Sequence, residues 1–151
     1  MADLASRALD LAAPLVREFE GVKLRPYICP AGVPTIGAGC TRYPDGRKVA
    51  LSDPPITRER ADELLRDHLA RECIPAVLRL CPKADTPQRV AALASFVFNL
   101  GAGALEGSTL RKRIAAGDWT AAKAELLRWT RASGVVLNGL LRRRQAEAAM
   151  L

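Results

Sequence analysis

Large aromatic side chains are scarce in this chain: three Phe, two Trp and two Tyr in 151 residues. A core of this size must therefore be filled by Leu, Val and Ala, and abundant Ala favours helix. The same scarcity leaves no run of aromatics on which nucleic-acid bases could stack. There is a single histidine, His68, which argues against a multi-His metal site. Long apolar runs are also missing. Charged residues interrupt every stretch well before the roughly 18 residues that a membrane span needs, and the N-terminal segment is too charged for a signal-peptide core. The sequence leads us to expect no cofactor, no metal, no nucleic-acid partner and no stable membrane insertion.

About half of the residues are apolar, enough to bury one core, with room for two lobes. Net charge is +7, and residues 111–151 carry nine Arg and Lys against Asp118, Glu125 and Glu147. Such a surface attracts polyanions: an anionic wall polymer, anionic lipid or nucleic acid. The run Arg142-Arg143-Arg144 could be read as a nucleic-acid patch. Successive helical residues point about 100° apart, however, so at least one of the three is expected to turn inward and pair with an acid.

Helical spacing covers residues 1–19, where Pro14 is expected to start or break a helix. Residues 23–50 read as short strands and turns, rich in Pro and Gly, with Asp45-Gly46 as a hairpin signal. Ser52-Asp53-Pro54-Pro55 is a boundary. Thr57 caps a helix that runs to about 80, with Pro75 kinking or dividing it. His68 on this helix reads as a packing or surface residue with no partner spaced beside it. Thr86-Pro87 opens an apolar helix that ends at Gly101. Ser108 caps a short helix and Asp118 caps another that extends through Trp129. Trp119 and Trp129 read as core anchors. Ser133-Gly134 and Asn138-Gly139 mark a loop, and residues 140–150 form the last helix.

The chemistry concentrates between Glu20 and Thr41. Glu20 ends the first apolar helix, where partial burial suits a carboxylic acid to proton donation; by composition alone it reads first as a surface glutamate at a helix end. Cys29 could act as a nucleophile or weak base, or be an inert small hydrophobe. Thr35 could hold a water through its hydroxyl, or be a plain strand residue. Gly37 and Gly39 suit tight turns and close backbone approach, and without a third glycine they are a weak dinucleotide signal.

In order, Glu20-Gly21, Tyr27, Cys29 and Thr35-Ile36-Gly37-Ala38-Gly39 resemble the pattern of the phage-type lysozymes, glycoside hydrolase family 24. Four further stretches are similar to the same family: Ser95 to Gly101, Ser108-Thr109-Leu110, Trp129, and Gly139-Leu140 leading to Arg142-Arg143-Arg144 and Glu147. The resemblance implies an α+β, mostly helical fold in a single lysozyme-like domain. A small antiparallel sheet lobe (21–56) would join, through a helix (57–73), a larger helical lobe (1–20 and 74–151).

It also implies a monomeric muramidase acting on peptidoglycan, at the β-1,4 bond between N-acetylmuramic acid and N-acetylglucosamine. Glu20 would be the proton donor. Cys29, where many members have Asp, and Thr35 would place the attacking water on the opposite face. Tyr27, Gly37 and Asn99 would contact substrate. The enzyme would be made in a host cytoplasm and reach the wall after holin-type release. Cys40 stands where the family usually has His. The alternative is a non-catalytic cationic module that binds wall glycan or perturbs membranes. Four cysteines allow Cys29–Cys40 or Cys73–Cys81 pairing, and free thiols are the expectation.

Overall fold

A computed structural model describes residues 3–132 and 134–151. The first helix, α1, runs Leu4–Glu20, with the Asp3 carboxylate accepting from the Ser6 amide at 2.7 Å. Ala8, Ala12, Ala13 and Val16 recur on its buried face, while Pro14 lies inside the helix without ending it. The break expected there does not occur. Pro14 and Asp10 are both on the exposed side, so the Asp10 carbonyl left without its amide partner can be hydrated. The uninterrupted helix carries Glu20 to its C-terminal edge.

Strands β1 (Lys23–Ile28) and β2 (Pro34–Gly37) pair antiparallel, with Tyr27 opposite Thr35 and an irregularity between Lys23 and Tyr27. A tight turn joins them: the Gly32 amide donates to the Cys29 carbonyl at 2.8 Å, and Gly32 has φ +79°. Beyond β2 the chain turns at Asp45-Gly46. It is then clipped by Asp53, which accepts from the Tyr43 hydroxyl at 2.7 Å and the Ala50 amide at 2.9 Å.

Helix α2 (Arg58–His68) starts at Thr57, whose hydroxyl accepts from the Arg60 amide at 3.0 Å. It passes through one π turn, Leu69–Cys73, into α3 (Ile74–Leu80). Pro75 therefore does not divide the helix; the adjacent π turn accommodates the proline's missing donor. Leu64 of α2 joins Ile36 and Val49 in a small buried cluster, and its neighbour Leu65 joins the main core.

That core is built around α4 (Pro87–Leu100), capped by Thr86 and buried all round from Val90 to Val97. It packs chiefly against α1. Phe96 meets Trp129 edge to face at 5.3 Å. Then come α5 (Ala102–Glu106), α6 (Thr109–Ala115, capped by Ser108) and α7 (Trp119–Leu126, capped by Asp118). Helix α7 stops three residues short of Trp129. A two-residue hairpin follows, β3 (Arg131–Ala132) with β4 (Val135–Val136), before α8 (Asn138–Ala148). The expected loop at 133–139 is thus part hairpin and part helix. Gly134 sits in the hairpin turn, Ser133 lies outside the described residues, and Asn138-Gly139 already belong to α8.

Candidate active site

Glu20 is the last residue of α1, and its side chain is 22% exposed. Its Oε1 accepts from Nη1 of Arg143, whose side chain is 4% exposed. Arg143 comes from α8 and is held on its other edges by α4. Its Nε donates to the Ser95 hydroxyl at 3.2 Å, and its Nη2 donates to the Ser95 carbonyl at 3.1 Å. The Ser95 hydroxyl in turn donates to Glu147 Oε2 at 2.5 Å. Arg144 completes the cluster. Its Nε lies 2.7 Å from Glu147 Oε1, an ion pair off the hydrogen-bond axis, and its Nη2 donates to Asn99 Oδ1 at 2.9 Å.

Two of the three consecutive arginines therefore turn inward. Sequence reasoning missed their joint use with Ser95 on Glu20. The available signal was Glu147 spaced four and three residues after Arg143 and Arg144, the distance at which helical side chains meet.

The sheet presents the other half of the site. Thr35 is buried in β2 and its hydroxyl donates to the Val33 carbonyl at 2.8 Å. Cys29 follows β1 directly, half-exposed on the turn. Its thiol is held below the ordinary thiol range, first by the backbone at Val33, then by the Thr35 hydroxyl. Tyr27 sits in the field of both halves: burial pushes its phenol up, and the charges of Cys29 and Glu20 add to the effect. Tyr27, paired opposite Thr35 in the sheet, thus lies within electrostatic reach of Glu20 on the helix side and of Cys29 on the sheet side.

The remaining candidates stand differently. Asn99 is half-buried near the end of α4, with its carbonyl oxygen committed to Arg144. Gly37 has φ +68°, the left-handed conformation that favours glycine, while a Cβ there would meet Ala61 and Ile56 only at ordinary contact distance, so this position serves the backbone turn at the end of β2. His68 does have a partner spaced beside it, contrary to expectation: Nδ1 lies 3.4 Å from Glu72 Oε2, and the ring meets Phe98 edge to face at 5.2 Å. A concave space of about 320 Å³ lies between residues 39–46 and α2, lined by Cys40, Arg42, His68 and Arg71 among others. None of Glu20, Cys29 or Thr35 lines it.

All four cysteines are free thiols, so neither pairing considered from the sequence forms. Cys40 donates to the Arg42 carbonyl instead, at 2.6 Å. Among the described residues, no group of three or more His, Cys, Asp and Glu is placed to hold a metal ion. No helix among them is long and apolar enough to cross a membrane.

The family model for phage lysozyme matches residues 17–147. An endolysin from Acyrthosiphon pisum secondary endosymbiont phage 1 is 36% identical over 141 residues, covering 90% of this chain and 91% of that protein. A mutant of P22 lysozyme superposes with a TM-score of 0.80 at 32% identity, covering 92% of this chain and 93% of the other. The muramidase domain of SpmX from Asticaccaulis excentricus gives a TM-score of 0.78 at 32% identity, covering 92% of each chain. The chain belongs to the phage lysozyme family.

Proposed function

We propose that this chain is a peptidoglycan hydrolase, a muramidase that cleaves the β-1,4 bond between N-acetylmuramic acid and N-acetylglucosamine. Its relatives' names, endolysin and muramidase, support the substrate class. The single observation that carries the reading is the place of Tyr27, paired opposite Thr35 in the sheet and within electrostatic reach of both Glu20 and Cys29.

In this reading Glu20 gives its proton to the glycosidic oxygen as the bond from C1 of the muramic sugar breaks. Water held by Cys29 and Thr35 adds to C1, and its proton passes to the thiolate. Solvent then returns the proton to Glu20. A thiol held low by its surroundings at Val33 and Thr35 is ionised more readily, which suits it to the place a carboxylate would fill. Tyr27 borders the reacting sugar. Asn99, its oxygen taken by Arg144, has an amide NH₂ free to donate to a sugar carbonyl. The excess of basic residues draws the anionic wall polymer toward the protein.

Clearing of permeabilised Gram-negative cells tests this directly. Glu20→Gln is expected to abolish clearing; undiminished clearing would mean that the protein acts as a non-catalytic cationic module.

A further inference from the structure

A catalytic acid tied to an arginine poses a problem. An adjacent guanidinium favours the charged carboxylate, yet a general acid must hold its proton when substrate arrives. The buried cluster contains a counterweight. Glu147 is 0% exposed and lies 3.5 Å from Arg143 Nε and 2.7 Å from Arg144 Nε. The Ser95 hydroxyl bridges it to Arg143.

We propose that Glu147 is a positioning residue for Glu20: it shares the guanidinium groups of Arg143 and Arg144, so that their combined charge does not fall on the catalytic acid alone. This inference rests on the reading of Glu20 as proton donor. Two cations on α8 thus face two carboxylates, the partly exposed Glu20 and the fully buried Glu147.

The groups around the acid support this accounting. Glu20 faces Arg143 directly and feels Arg144 at longer range, both from α8; from the sheet side it shares the surroundings of Tyr27 with the Cys29 thiol, and uncharged Ser95 and Asn99 come from the cluster's α4 side. Around Glu147 are Arg143, Arg144 and Ser95. Burial pushes Glu147 upward, against the pull of Arg144, Ser95 and Arg143. Two guanidinium groups within 3.5 Å favour its charged form.

The test is the pH dependence of peptidoglycan hydrolysis in the full chain. Activity that needs a protonated acid is lost on the alkaline limb. Glu147→Gln removes the counterweight and is expected to move that limb about one pH unit lower, a loss of about tenfold beyond the midpoint. Arg144→Met removes a cation and should move the limb the opposite way. The double variant Arg144→Met/Glu147→Met should return it close to wild type. A structural defect alone would lower the plateau without producing shifts of opposite sign. If Glu147→Gln does not fold, the upward shift of Arg144→Met and the restored double variant carry the test. Limbs that stay fixed in all the folded variants overturn the inference. Failure of the underlying assignment is separately visible as undiminished hydrolysis by Glu20→Gln.

Discussion

Arg143 in α8 donates to the Glu20 carboxylate, 123 residues earlier at the end of α1. One ion pair thus fastens the last long helix to the first, at the point where the chemistry is placed. Because Arg143 is almost fully buried, its removal leaves the Ser95 carbonyl and the Glu20 carboxylate without their donor and takes from buried Glu147 one of its two cations. Arg143→Met is expected to cost about 3–5 kcal/mol of stability and to lower hydrolysis. Urea unfolding followed by circular dichroism checks the first, and a turbidity assay the second.

Ser95 is a small residue with a large duty: it donates to Glu147 and accepts from Arg143 through both hydroxyl and carbonyl. Ser95→Ala should cost about 1–3 kcal/mol, the penalty for leaving buried partners unsatisfied. Its hydrolysis rate should fall as well, since Arg143 loses one of its fixed contacts. A variant as stable as wild type would mean that the hydroxyl carries no weight in the cluster.

The four thiols should differ sharply in reactivity. Cys29 is half-exposed and held low, whereas burial raises Cys40, Cys73 and Cys81. Limited treatment with iodoacetamide at neutral pH, followed by peptide mapping, should label Cys29 first and stop hydrolysis in step with labelling. Cys29→Asp should retain activity if the residue places water, and near-total loss would point to an attacking thiol.

Alkaline pH should unfold the protein through its buried cysteines. Burial pushes Cys73 up to about 12 and Cys81 up to about 11, from an ordinary 9.0. Above that ordinary value the unfolded chain sheds both protons while the folded chain keeps them. The unfolded state then binds fewer protons, and stability falls as pH rises. The slope is about 1.4 kcal/mol per pH unit for each thiol, easing from about 11 to about 12 as the folded thiols ionise too. Melting temperatures between pH 8 and about 11 should follow this curve, and Cys73→Ala should flatten it while lowering the starting point.

Much of this arrangement is legible in the chain, because caps and periodicity act locally. Thr57, Thr86, Ser108 and Asp118 each cap the helix they were expected to cap. Pro14 misleads because an exposed helix face tolerates a missing donor. The strands Arg131–Ala132 and Val135–Val136 are too short to show alternation, and α8 takes up Asn138-Gly139, a pair that reads locally as a turn. The sheet side of the site follows from close spacing. The long-range partners of Glu20 do not, since nothing local in residues 1–41 points to α8.

The most direct measurement is mass analysis of peptidoglycan digested by the wild-type chain, with Glu20→Gln alongside. The expected products are fragments ending in reducing N-acetylmuramic acid, absent from the variant digest. Fragments ending in reducing N-acetylglucosamine or in anhydro-muramic acid, or the same fragments from the variant, would contradict acid-catalysed hydrolysis by Glu20.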